Sequence, residues 1–125
     1  MRWLWIALLA ACDKLPDPPS ASEFAAMTHQ QKCEATAPRA TRCTDELMVG
    51  ELRELTGDRE AAEEIGRDYA AGPSPNARQA REIHDISCAS DRDGSYLKAI
   101  VECWNVSDCT AFADCVYKAR APVGR

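Results

Sequence analysis

The residues of this 125-residue chain best equipped for chemistry are six cysteines, Cys33, Cys43, Cys88, Cys103, Cys109 and Cys115, and its two histidines. Each histidine stands four residues before a cysteine, as His29 with Cys33 and His84 with Cys88. Residues four apart share one face of a helix, so two such pairs could supply a tetrahedral zinc site. Against this, the pairs lie 55 residues apart, which matches no short metal framework, and an even set of cysteines in a small exported chain reads as three disulfides. The expectation is three bonds, histidines that are exposed or structural, and neither metal nor other cofactor.

Other candidate constellations are weaker. Asp91-Arg92-Asp93-Gly94 looks like part of a calcium loop, but the register puts Ala89 and Ile100 where carboxylates are required, so it reads as a polar turn. Glu60, Glu63 and Glu64 lie near Arg59 and Arg67 and read as a solvated helix face. The sequence contains no glycine-rich phosphate loop, Cys-x-x-Cys redox motif or serine nucleophile elbow, and the chain is expected not to be an enzyme.

The seventh cysteine, Cys12, follows a start with a basic Arg2 and an apolar run from Trp3 to Ala11. Nine residues of helix rise only about 13 Å, too little for a hydrocarbon layer of about 30 Å, so the run reads as an export signal rather than a span. Leu9-Ala10-Ala11-Cys12 resembles the lipobox of bacterial lipoproteins. The resemblance covers only these residues and implies cleavage before Cys12, a diacylglycerol on its thiol and attachment to a membrane. Asp13 resembles the second-position aspartate that retains some lipoproteins at the inner membrane, facing the periplasm; the outer membrane is the alternative. The implied organisation is a signal over 1–11, a lipidated and Pro-rich spacer over 12–22, a Cys-rich domain over 23–121 and a tail over 122–125.

The elements that must position the cysteines are helical. Ser20 and Glu23 suggest a cap, and Phe24, Met27, Gln31 and Ala35 follow at helical spacing until Pro38, expected to stop the run. A second helix should carry Leu47, Met48 and Leu52 to Gly57, a third should end at Gly72-Pro73, and a fourth should open at Ser74-Pro75. Leu97, Ile100, Val101 and Trp104 mark a fifth, and Cys109, Phe112, Ala113 and Val116 a sixth. No segment alternates like a strand. The predicted fold is an all-α, compact bundle of about five or six short helices stapled by disulfides. Cys109 and Cys115, six residues apart, diverge by about 120° around a helix and should not bond each other. The favoured pairing is Cys33 with Cys43 across the Pro38 turn, Cys103 with Cys109 across a short loop, and Cys88 with Cys115.

Composition bounds the function. Only 20 residues are Leu, Ile, Val or Phe, so the disulfides must supplement a thin apolar core. With 15 Lys and Arg against 20 Asp and Glu, the chain carries a net charge of −5 and lacks the concentrated positive charge that nucleic acid demands. The leading expectation is a non-enzymatic envelope lipoprotein that presents a rigid surface, around Tyr96 and Trp104, to another envelope or secreted protein. The alternative is a periplasmic lipoprotein that binds a small molecule or metal in a pocket near Trp104, Tyr96 or His84.

Overall fold

A computed structural model describes residues 15–120, save the side chains at 55, 56, 59, 62, 69 and 70. The signal, Cys12 and the tail over 122–125 lie outside the described residues. Among the described residues seven α-helices follow one another: α1 (Ala21–Ala26), α2 (His29–Ala40), α3 (Thr44–Thr56), α4 (Arg59–Ala71), α5 (Ala77–Ser90), α6 (Ser95–Glu102) and α7 (Cys109–Ala119). A 3-10 turn over Thr41–Cys43 joins α2 to α3, and no strand occurs among the described residues. The chain is therefore a small all-α bundle held by disulfides.

Local chemistry explains the boundaries. Ser20 caps α1 by accepting from the Glu23 amide. Thr28 opens α2 with a reciprocal capping box to Gln31, dividing what the apolar spacing presents as one helix. Pro38 does not stop α2 but lies inside it, two residues before the helix ends. Its missing amide costs one helical hydrogen bond, offset by the tertiary burial of Ala37, Arg39 and Ala40 on either side. Asn76, not Ser74, caps α5, again with a capping box, to Gln79. Gly57 ends α3 in the left-handed region. Both Asp91 carboxylate oxygens accept backbone amides of the next helix, from Tyr96 and Leu97 at 3.1 Å each, so this turn is a cap.

The six cysteines are bonded as Cys33–Cys88, Cys43–Cys109 and Cys103–Cys115. The set is as expected, but each favoured pairing is corrected. Because α2 runs on through Pro38, Cys33 and Cys43 are separated by about 15 Å of helical rise and cannot meet. Instead α5 packs along α2, and Cys88 near its end meets Cys33 near the start of α2. Cys109 and Cys115 do diverge: the first residue of α7 faces the 3-10 turn, while Cys115 meets Cys103 at the end of α6.

The core gathers Phe24, Leu47, Tyr96, Leu97, Ile100, Trp104, Phe112 and Val116 with buried alanines and half-cystines. Arg39 is also buried, only 3% exposed. Its guanidinium lies 3.8 Å above the Phe112 ring and donates to the Trp104 carbonyl at 2.8 Å and to the Val106 carbonyl. This cation therefore fixes the loop between α6 and α7. Trp104 donates its indole N–H to the Pro16 carbonyl at 3.0 Å, which ties the beginning of the described chain to the same region.

Candidate functional site

Two helix faces enclose an apolar cleft. On α3, Thr44, Leu47, Met48, Glu51 and Leu52 follow helical spacing; on α5, Ala80, Ile83, His84 and Ser87 do the same. Between them is a pocket of about 240 Å³ lined also by Tyr96 of α6 and Tyr117 of α7. It is larger than the roughly 150 Å³ that accommodates benzene. It falls short of the ~300 Å³ at which common small-molecule sites begin. The space suits a one- or two-ring compound or a short aliphatic chain.

The polar groups around the pocket are mostly engaged. The Tyr117 hydroxyl lies 2.8 Å from the Leu47 carbonyl and 3.0 Å from Glu51 Oε2, and its single proton serves one of them at a time. Arg120 donates to the same Glu51 oxygen at 3.0 Å and lies over the Tyr117 ring. Burial, then the Glu51 carboxylate, pushes Tyr96 ionisation well above the ordinary tyrosine range; burial, then Tyr96 and Glu51, does the same for Tyr117. Both remain neutral phenols at physiological pH.

His84, 4% exposed, forms part of the wall and faces α2 with its other edge. Its Nε2 lies 3.0 Å from the Cys33 carbonyl, 3.1 Å from Thr36 Oγ1 and 3.4 Å from the Cys88 sulfur. A carbonyl only accepts, so the neutral ring carries its proton on Nε2 and donates it to Cys33. Nδ1 is then a buried acceptor with no partner among the described residues. Burial holds the pKa below the usual histidine value, with Arg81 acting in the same direction and the Cys33 carbonyl, Asp85 and Glu34 opposing it. His29 makes the matching contact, its Nε2 donating to the Cys88 carbonyl at 2.7 Å. Each histidine thus bonds the carbonyl of the cysteine on the other helix.

The structure places the remaining candidates as follows. Tyr96 and Trp104, expected as contact residues for a partner, are 5% and 3% exposed and belong to the core. Their large apolar bodies win that burial in a chain short of Leu and Ile. Tyr96 and His84 do line one pocket, whereas Trp104 is not among its lining residues. Cys33, His84 and Cys88 come together, their ligand-type atoms all within 4.8 Å of one another. Glu63 pairs with Arg53 of α3 at 3.8 Å, a contact across the α3–α4 helix pair. Arg39 is the residue that sequence reasoning missed, because an arginine carries no apolar signal of burial. No protein-family model matches the chain, and no curated protein or solved structure matches it either.

Proposed function

We propose that the chain is an exported, non-catalytic binding protein, anchored to a bacterial envelope membrane through an acylated Cys12, that holds a small and mainly apolar ligand between α3 and α5. The observation that carries the reading is the pocket of about 240 Å³, lined by Leu47, Met48, Leu52 and Ile83 together with Tyr96 and Tyr117. Three disulfides support an oxidising compartment outside the cytoplasm. No helix among the described residues is long and apolar enough to cross a membrane, and a lipid anchor would supply the attachment.

Titration of the oxidised protein with an uncharged naphthalene fluorophore tests the pocket. Saturable binding of one molecule is expected, lost when Ala80→Phe fills the cleft while helix content is retained. Non-saturable binding, or binding unchanged in Ala80→Phe, would overturn it. Intact mass of the membrane-extracted protein tests the anchor: loss of residues 1–11 and a diacylglycerol on Cys12 are expected, and an unmodified Cys12 rejects it.

Ile86 favours a second reading. It is 67% exposed and lines the same cleft, so an apolar side chain of an envelope or secreted protein would also find a seat there. In-cell crosslinking from position 86 separates the two, since only the second yields a discrete protein adduct.

A further inference from the structure

The two histidines of the chain both sit against one disulfide out of three. We propose that Cys33, Cys88 and His84, completed by His29, form a site for a zinc-class divalent cation when the Cys33–Cys88 bond is reduced. The site shares only His84 with the wall of the pocket and needs no ligand there.

The geometry begins with packing. Helix α2 presents His29 and Cys33 one turn apart, α5 presents His84 and Cys88 one turn apart, and the Cys33–Cys88 bond joins the two pairs. The chain separation of 55 residues, which disfavours a metal on sequence grounds, is closed by the helix pair. In a tetrahedral site with Zn–S near 2.3 Å and Zn–N near 2.05 Å, a nitrogen and a sulfur lie about 3.5 Å apart. His84 Nε2 stands 3.4 Å from the Cys88 sulfur, so that edge of the tetrahedron already exists. The sulfurs must separate to about 3.8 Å, which side-chain rotation supplies once the bond between them is broken. His29 turns from the Cys88 carbonyl toward the metal, and His84 gives up its contact with the Cys33 carbonyl; in each ring the proton moves from Nε2 to Nδ1 through solvent exchange, so that the Nε2 lone pair meets the cation. Asp85, 3.9 Å from the Cys33 sulfur, is held by Arg81 and stays outside the ligand set.

Charge favours the same composition. Cys33, Cys88 and His84 are each 4% exposed, and burying an unbalanced charge there would be costly. Two thiolates, two neutral imidazoles and a divalent cation sum to zero. His84 offers the Nε2 lone pair to a cation as the tautomer protonated on Nδ1, and Nδ1 has no hydrogen-bond partner among the described residues that would have to be given up for this. The sulfur pairs Cys43–Cys109 and Cys103–Cys115 lack this composition, since neither histidine adjoins them.

The chemistry balances with a dithiol as reductant. The dithiol gives two electrons and two protons, its own sulfurs joining as a disulfide, and Cys33 and Cys88 become thiols. The cation then displaces both thiol protons into solvent. Disulfide and metal are alternative closures of one clasp between α2 and α5.

Cobalt(II) is the probe. The full chain carrying Cys12→Ser is reduced with a dithiol, freed of it by anaerobic gel filtration, and titrated. Expected are one cobalt per chain, a sulfur-to-cobalt charge-transfer absorption, its loss in Cys33→Ser, and affinity weakened at least about tenfold in His84→Ala and in His29→Ala. The absorption should survive in the Cys103→Ser, Cys115→Ser double variant. The absorption can be read whatever the helix content, and a rise in circular dichroism on adding cobalt is the second expected signal. No charge-transfer band in the reduced chain, a band that survives Cys33→Ser, or affinity unchanged in His84→Ala would overturn the assignment.

Discussion

The guanidinium of Arg39 is satisfied by carbonyls and a ring face rather than by an acid. Burial, and after it the neighbouring Arg42, lowers its pKa, yet arginine remains charged across the physiological range. Replacing it with leucine would leave the Trp104 and Val106 carbonyls without their donors, each worth about 1–3 kcal/mol, so Arg39→Leu should destabilise by about 2–5 kcal/mol. Lysine keeps the charge but not the planar fork, and Arg39→Lys should still cost about 1–3 kcal/mol. Urea unfolding checks both: the midpoint should fall with an unchanged slope. Nothing in the sequence distinguishes Arg39 from the exposed Arg42, because the partners are carbonyls more than sixty residues away. The half-cystines, in contrast, were legible as a set, since parity alone speaks for them.

Helix packing decides what helix propensity cannot. Gly50 lies within α3, where alanine would ordinarily gain about 1 kcal/mol. Here a Cβ would overlap the edge of the Tyr117 ring, which its hydroxyl contacts to Leu47 and Glu51 hold in place. Steric conflict costs about 1–3 kcal/mol and is joined by the loss of that tether, so Gly50→Ala should destabilise on balance. A melting temperature lowered by several degrees would agree; a rise would show that Tyr117 moves aside without cost. The helices themselves were readable from caps and apolar spacing: Ser20, Gly57 and the stretch from Leu97 to Ile100 behave as their chemistry implies. Pro38 misleads because its penalty is local, whereas the burial that outweighs it depends on residues elsewhere in the bundle. The disulfide pairing was hidden for the same reason, being fixed by which helices lie side by side. The pocket is a product of that packing too, and His84 and Tyr96 reach it from different helices.

At the scale of the molecule, the three bridges close loops of unequal span. The chain-entropy argument gives about 4 kcal/mol each for Cys33–Cys88 and Cys43–Cys109, and about 3 kcal/mol for Cys103–Cys115. Their sequence separations are 55, 66 and 12. Since small domains are stable by only about 5–15 kcal/mol, full reduction should remove most of the margin. Paired Cys→Ala variants measured by thermal unfolding should rank in that order, with either long bridge costing more than the short one; equal losses would mean that local strain or packing outweighs loop length. The contact between Pro16 and Trp104 has a spatial consequence for an anchored protein. If Cys12 carries the lipid, four residues join it to the fixed carbonyl of Pro16, and a fully extended chain covers only about 3.5 Å per residue. The leash is then about 14 Å, too short for the bundle to roam far from the lipid headgroups. The corner built from Pro16, Trp104 and the loop that Arg39 holds would face the bilayer, and any ligand would have to be met at the membrane surface.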